Sequence, residues 1–375
     1  MEGVGMTWKN KRVLLTGHTG FKGSWLSLWL QKMGAEVCGL ALEPPTAVNL
    51  YMDAQVEKNM RSVLGDIRDA DLVSRTVQDF RPEVVFHLAA QPLVRASYDD
   101  PLGTYATNVM GTAHVLNAVR KTGKPCAIVV ITTDKCYENR EWEWAYRETD
   151  RLGGYDPYSN SKACAELVVS AYRNSFFHPA EYQKHGIALA SVRAGNVIGG
   201  GDWADNRLIP DIIRAYEEGR SVRIRNPHAI RPWQHVLEPL RGYIAVAEHL
   251  LEFGSAYGEA WNFGPEQSDA QPVEWIVREL AELWGNGAKW ELEGGIQPHE
   301  AQNLKLDYSK ALYRMGWKPA LSLKDALKMT ADWYWAKGKG QEMHSFTIAQ
   351  ISQYESLSDK MTKTGISCQR DEREQ

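Results

Sequence analysis

Two short runs in the chain hold side chains suited to redox and acid–base chemistry together. Ile131-Thr132-Thr133-Asp134-Lys135 ends an apolar stretch with a hydroxyl, a carboxylate and an amine in succession. Further on, Tyr158-Ser159-Asn160-Ser161-Lys162 sets a phenol and an amine four residues apart, on one face of a helix. A free tyrosine has a pKa of about 10 and is a poor base near neutrality. Positive charge beside it, from Lys162 or from an oxidised cofactor, would lower that value. The phenolate would then take a hydroxyl proton as hydride leaves the same carbon. Strict alternation would point Thr133 and Lys135 to one side and Asp134 to the other, unless the strand end bends. The plain alternative is a threonine cap followed by a solvated ion pair. A Tyr-x-x-x-Lys pair also arises by chance on exposed helices, so its weight comes from the 132–135 strand end before it.

The cofactor is read from Gly17-x-x-Gly20-x-x-Gly23, which lies between a short apolar run and a helical pattern, the context this motif requires. Such glycines permit a tight turn and the approach of a pyrophosphate to a helix N-terminus, where amides and dipole favour negative charge. A glycine turn without a ligand is the competing reading. Glu43 lies about 20 residues beyond the last glycine, where an acidic side chain accepts from an adenosine ribose and selects NAD over NADP. A solvated loop carboxylate before Pro44-Pro45 is its alternative. Gly65-Asp66-Ile67 ends the third expected strand, and Asp66 either contacts adenine or caps the helix at Asp69. Asn196, Arg207 and Arg231 suit a diphosphate pocket, since the guanidinium fork donates two bonds at once. Arg223 and Arg225 read as a solvated strand face, Trp233 and His235 as core, and Cys136 as a neighbour of the site without a catalytic role.

The elements that must position these groups alternate. Strands are expected at Arg12–Thr16, Glu36–Leu42, Arg61–Leu64, Glu83–Leu88, Cys126–Thr132, Ile187–Val192 and, later, Gly258–Gly264. Helices are expected to about Met33 and over about Asp69–Phe80, Leu102–Arg120 and from Pro157. This alternation predicts an α/β fold, a doubly wound parallel sheet with ligands at the carboxyl ends of the strands. We divide the chain into an NAD-binding Rossmann domain over 8–193 with returning segments about 235–264, and a smaller mixed substrate lobe over 194–234 and 265–355. The polar tail 356–375 is expected to be disordered.

The 375 residues can bury a large core. The formal charge of −4 is interleaved in sign, which excludes broad attraction to nucleic acid or anionic membrane. No apolar run approaches the roughly 18 residues needed to cross a bilayer, and no apolar signal segment precedes the first strand. Five scattered cysteines with no Cys-x-x-Cys argue against metal sites and disulfides and fit the cytoplasm.

Gly17–Gly23, Asp66-Ile67, His87-Leu88-Ala89-Ala90, Asn108, Tyr158-x-x-x-Lys162 and Arg231-Pro232-Trp233 resemble the extended short-chain dehydrogenase/reductase family along nearly the whole chain. Residues 16–25, Gln91–Arg95, Thr133–Lys135 and Gly199–Trp203 resemble its nucleotide-sugar 4,6-dehydratases, more narrowly those acting on CDP-linked glucose. Relatives acting on thymidine-linked glucose carry Asp-Glu where this chain has Asp134-Lys135, so a glutamate base does not carry over. The resemblance implies NAD that returns unchanged each turnover, held by Gly17, Thr19, Gly20, Phe21, Lys22, Gly23, Glu43, Asp66, Ile67, Leu88, Ala89, Ala90, Tyr158 and Lys162. It implies that Tyr158 takes the sugar O4 proton, Thr133 binds O4 or orients Tyr158, Lys135 acts at C5 and Asp134 protonates the leaving C6 hydroxyl. As a base, Lys135 requires desolvation or nearby positive charge; otherwise it stays charged and stabilises the enolate. Arg95, Ser97, Asn196, Arg207, Arg231, His299 and Glu300 are the implied substrate contacts, and no metal is implied. His18 and Lys22 depart from the small or apolar residues common in the family and bear on NAD affinity. A homodimer or dimer of dimers through about 102–120 and 157–175 is implied as well.

Two other readings compete with a dehydratase. A nucleotide-sugar 4-epimerase shares the first hydride transfer without C6 elimination. A non-catalytic dinucleotide sensor would have no use for a poised phenol.

Overall fold

The runs rich in Val, Ile and Leu become strands that are buried on both faces, which is why they read as continuous apolar stretches. The computed structural model describes residues 7–205, 207–224, 226–285, 289–292 and 303–371, with side chains to Met361. Seven strands form the central sheet: β1 Arg12–Thr16, β2 Glu36–Ala41, β3 Arg61–Leu64, β4 Val84–His87, β5 Cys126–Ile131, β6 Ile187–Ala194 and β7 Ala260–Phe263. Their order is β7-β6-β5-β4-β1-β2-β3, and every pairing is parallel. From β1 the chain winds one way to β2 and β3, then the other way through β4 to β7. The crevice at that reversal is where such sheets bind ligands.

Alternation along the strands divides the core. Val13, Leu15, Phe86, Val129 and Ile131 face one helical layer with Trp25 and Trp29 of α1 Phe21–Lys32. Leu14, Val85, Ile128 and Val130 face the other, with Val77 of α2 Ala70–Phe80, Leu116 of α3 Gly111–Thr122 and Val169 of α4 Pro157–Ser175. The predicted helix over 102–120 is Pro101–Tyr105 and α3 joined by a π-turn at Ala106–Met110. That turn accompanies a buried Asn108, whose amide donates to Ser161 Oγ at 2.8 Å and accepts the Gln91 N–H at 2.8 Å. Asp66 does not cap α2. Asp69 does, accepting from Asp71 and Leu72 N–H, while Asp66 pairs with Arg68 at 2.6 Å.

Outside the central sheet stand the paired segments Val222–Ile224 with Trp290–Leu292 and Ile230–Arg231 with Gln271–Pro272, together with helices at Leu208–Glu217, Val273–Trp284 and Ser309–Met315. The C-terminal expectation needs correcting. A helix runs from Met343 to Asp371 through the segment expected to be disordered, and it packs on the helix Leu323–Gly338 as well as on α1: Trp333 Nε1 donates to Thr347 Oγ1 at 3.0 Å and Gln350 Nε2 to the Met329 carbonyl at 2.8 Å. Trp29 Nε1 donates to Glu355 at 2.8 Å, Lys32 pairs with Glu355 at 2.6 Å, and the Tyr354 hydroxyl donates at 2.7 Å to Glu238 of α5 Leu237–Phe253. The buried side chains that anchor the helix, Thr347, Gln350 and Tyr354 among them, find partners on the helix Leu323–Gly338 and on α5, and Glu355 finds its own on α1.

Candidate active site

At the end of β1 the chain turns through Gly17, whose φ of +82° lies in the left-handed region; an added Cβ would sit 2.8 Å from the Ala89 amide. At Gly23 a Cβ would collide with the Gly17 carbonyl, so the loop folds tightly onto the first turn of α1. Thr19 donates to the Leu42 carbonyl at 2.8 Å, and the Thr16 hydroxyl accepts Ala89 N–H at 3.1 Å, joining the loop to Leu88–Ala90. No side chain caps α1 at Gly20, which leaves its first amides to serve an anion. This cradle fits the diphosphate of a dinucleotide. Phe21, partly buried, opens α1 with its ring against Gly199. Glu43 is exposed just past β2, and Ile67 is buried with its carbonyl receiving His114 Nδ1 at 3.0 Å. His18 is buried with Nε2 2.8 Å from Ser62 Oγ, and burial lowers its pKa to about 4, so the ring is neutral.

The candidate catalytic groups converge because β5 does not simply run on. It stops at Ile131, and a 3₁₀ turn over Asp134–Cys136, capped by Thr133, bends the next residues across the strand end. The Thr133 hydroxyl donates to Asp134 Oδ1 at 2.9 Å and also hydrogen-bonds the Tyr158 phenol. Asp134 is buried, and among the described residues its Oδ2 has no hydrogen-bond partner. Burial raises its carboxyl above the usual range, against the opposing pull of Lys135, Thr133, Arg231 and Lys22. Lys135 is half-buried beside it.

Tyr158 enters from the first turn of α4, which Asp156 caps through Ser159 N–H at 2.9 Å and Pro157 opens. The expected lowering of its phenol by Lys162 is not what the protein by itself produces. Burial pushes the phenol up to about 12, Thr133 opposes, Asp134 adds to the rise and Arg207 opposes. Lys162 instead donates to the Ile131 carbonyl at 3.1 Å, and burial lowers its own pKa to about 8, with Glu166 opposing. Burial is thus the largest influence on both groups, and the hydrogen bond of the amine goes to the β5 strand end.

Other residues divide between the cleft and the scaffold. Lys22 points among Arg207, Asp134, Lys162 and Asp202, and burial first, then Arg207, lower its pKa to about 8. Arg207 pairs with Asp202 at 2.9 Å, and its charge acts on Tyr158. Arg231 is buried and its charge acts on Asp134, so both arginines reach the Tyr158–Asp134 cluster. Asn196 is half-buried, its carbonyl accepting Gln234 N–H at 3.0 Å, and Arg95 is exposed on the helix Val94–Asp99. Ser97 is corrected to a scaffold role. It is fully buried, donates to the Val94 carbonyl at 2.6 Å and accepts Tyr158 N–H at 3.1 Å, so its hydroxyl serves to seat α4. His299 and Glu300 lie outside the described residues. His235 is buried edge-on to Trp25, as core, and burial pushes the Cys136 thiol up.

Sequence reasoning missed Glu166, Arg193 and Asp202. Asp202 stood in view within Gly199–Trp203, and Glu166 one helical turn beyond Lys162. Together the groups can remove a hydroxyl proton, deliver a proton from a buried acid and hold a dinucleotide.

The profile of the family described as GDP-mannose 4,6 dehydratase matches residues 14–330. CDP-glucose 4,6-dehydratase of Salmonella typhimurium is 56% identical over 353 residues, covering 94% of this chain and 98% of that protein. The crystal structure of a dTDP-glucose 4,6-dehydratase from Streptomyces venezuelae with NAD and TYD bound matches with a TM-score of 0.74 at 25% identity, over 88% of this chain and 99% of that one. UDP-glucose 4-epimerase of Thermotoga maritima, solved with UDP-glucose, matches with a TM-score of 0.73 at 22% identity over 88% and 99%, a likeness of fold alone.

Proposed function

The chain belongs to the GDP-mannose 4,6-dehydratase family, within the extended short-chain dehydrogenases/reductases, and from that premise we infer that it converts CDP-D-glucose to CDP-4-keto-6-deoxy-D-glucose and water. The observation that carries this reading is the buried Asp134 carboxyl joined to the Tyr158 phenol through one threonine hydroxyl. An epimerase needs the phenol but not the acid. Identity of 56% to a CDP-glucose 4,6-dehydratase supports the nucleotide.

Storage of hydride between C4 and C6 is supplied by bound NAD. The Gly17–Gly23 loop with Thr19, Phe21 and Lys22 would hold its diphosphate, Glu43, Asp66 and Ile67 its adenosine, and Leu88–Ala90 with Tyr158 and Lys162 its other end. Tyr158 takes the O4 proton, helped by the Thr133 hydrogen bond, which stabilises the charged form. The C4 ketone then acidifies the C5 hydrogen, at which Lys135 acts. Asp134, held toward its neutral form by burial, donates to the departing C6 hydroxyl. Arg207, Arg231, Asn196 and Arg95 anchor the nucleotide sugar.

Incubating pure protein with CDP-glucose and NAD, then adding base, should develop the absorbance of a 4-keto sugar. NMR should show C6 as a methyl group. A C4-inverted sugar that keeps its C6 hydroxyl would replace this reading with an epimerase, and a panel of glucose nucleotides differing only in base tests the preference for cytidine.

We further propose a homodimer through the helices at about 102–120 and 157–175, with dimer of dimers as its larger form. Leu102, Met110 and Leu167, exposed by 81%, 52% and 58%, support it as apolar side chains on these helices. Leu102→Glu combined with Leu167→Glu should yield monomers by light scattering; an unchanged mass would remove these helices from the interface. Among the described residues no helix is long and apolar enough to cross a membrane. A cytoplasmic enzyme is the compartment this reading implies, with Cys38, Cys126 and Cys136 as buried free thiols; its recovery with a membrane or secreted fraction would overturn that.

A further inference from the structure

Glu166 lies one helical turn beyond Lys162 and two beyond Tyr158, on α4, which packs against β6 and the 3₁₀ turn that follows β5. Its side chain is 3% exposed. One carboxylate oxygen accepts the Thr132 hydroxyl at 2.5 Å; the other accepts the Ser191 hydroxyl at 2.7 Å and Arg193 Nη2 at 2.8 Å. Despite burial, these donors and the Arg193 charge hold the carboxyl below the usual range, so it is ionised. Arg193 passes the contact outward, donating to the Tyr137 hydroxyl at 2.7 Å and the Glu148 carbonyl at 3.2 Å.

A buried ion pair rarely stabilises a fold more than apolar side chains of the same volume would. Its position suggests another use. The groups facing Lys162 are Glu166 from its own helix, Cys136 from the 3₁₀ turn, His87 from β4, Lys22 from α1 and the Ile131 carbonyl. His87 is kept neutral by burial, the Cys136 thiol is pushed up and uncharged, and Lys22 repels. Among the described residues, Glu166 is therefore the one anion acting on the Lys162 ammonium. Glu166 also clamps Thr132, whose hydroxyl and N–H both reach the Val192 carbonyl, at 3.2 and 2.9 Å. Thr132 is the residue immediately before the Thr133 that touches Tyr158 and Asp134.

We propose that Glu166 is a positioning residue of the reaction: it pins the β5 strand end that carries Thr133 and Asp134, and it supplies the negative charge that keeps Lys162 an ammonium. The proposal deepens the dehydratase reading and rests on it for its turnover assay.

Glu166→Gln alone strands the Arg193 charge, so the decisive variant is Glu166→Gln with Arg193→Met, which removes both charges together. The variant should fold by circular dichroism and lose tenfold or more in kcat/KM for CDP-glucose at pH 7.5. The alkaline limb of its pH profile should move to lower pH by a unit or more, because an ammonium without its counter-charge loses its proton earlier. Arg193→Met alone should leave that limb in place or move it upward. A folded double variant with wild-type rate and limb overturns the proposal. Should the double variant not fold, Glu166→Asp, which withdraws the charge by one methylene, must lower kcat and move the limb the same way; an unchanged limb overturns the proposal equally. The same limb is read in NAD binding by quenching of protein fluorescence. Wild-type protein that forms no 4-keto sugar refutes the dehydratase reading, whereas the NAD-binding limb still tests Glu166.

Discussion

Replacing Thr133 with valine keeps the shape and β-branching of a buried side chain and removes one hydroxyl. That hydroxyl hydrogen-bonds the Tyr158 phenol and donates to Asp134 Oδ1 at 2.9 Å; its contact with Lys135 N–H, at 3.4 Å, is too long to matter much. In the unaltered site the phenol stands at about 12, and the Thr133 bond is the first influence holding it down against burial. A hydrogen bond to a charged group contributes about 1.5–3 kcal/mol. Its loss should therefore raise the phenol by roughly 1–2 pH units, at about 1.4 kcal/mol per unit. The phenolate fraction at a given pH below that value falls about 10- to 100-fold. The one Thr133 proton serves either the phenolate or Asp134 Oδ1, and because burial already holds Asp134 toward its acid, the loss of that donor spares its step. Thr133→Val should lower kcat/KM by about 10- to 100-fold and move the acid limb of the pH profile upward, read from the base-developed absorbance of the 4-keto sugar at pH 6–9. A variant within twofold of wild type, with the acid limb unmoved, would refute the argument that this hydroxyl tunes the phenol.

Three further outcomes follow from the same geometry. Lys135→Met should cut kcat by about 100-fold or more, the scale of acid–base assistance, while calorimetry shows nearly unchanged binding of CDP-glucose; a normal rate would remove Lys135 from the mechanism. His235 is fully buried and burial lowers its pKa to about 3, against an ordinary 6.5. Between those values the unfolded chain takes up a proton that the folded one refuses, so this contribution is intact above pH 6.5 and declines by about 1.4 kcal/mol per unit as pH falls. His235→Asn should accordingly show a shallower loss of urea stability between pH 6 and 4.5, and equal slopes would contradict it. Tyr354→Phe, which takes from the buried Glu238 carboxyl a donor at 2.7 Å, should cost about 1–3 kcal/mol in urea unfolding with turnover at 25 °C unchanged. A smaller loss would mean that the C-terminal helix is held elsewhere.

The strands were legible because a parallel strand covered on both faces needs an unbroken apolar run, and Cys126–Ile131 and Ile187–Ala194 have that character in any context. The glycine turn was legible for an equally local reason, since its backbone leaves no room for side chains at Gly17 and Gly23. The C-terminal helix was not. Residues beyond Glu355 are polar, and the helix that continues into them is anchored earlier, on Trp29, Lys32 and Glu238, remote in sequence, and on Met329 and Trp333. Ser97 misled for a related reason: a serine near the site looks like a contact until its two hydrogen bonds are found spent on the backbone.

The amino-acid sequence by itself determined the element order, the parallel sheet, the dinucleotide turn and the identities of the phenol, acid and amines, because propensity, patterning and side-chain chemistry travel with each residue. Tertiary structure decided what those groups are worth. The bend after Ile131 brings Asp134 under Thr133 and Tyr158, burial drives the phenol up and the Lys162 amine down, and Glu166 sits among hydroxyls and Arg193 from other elements. Desolvation and charge act through space, and distances through space are set only when the whole chain has packed.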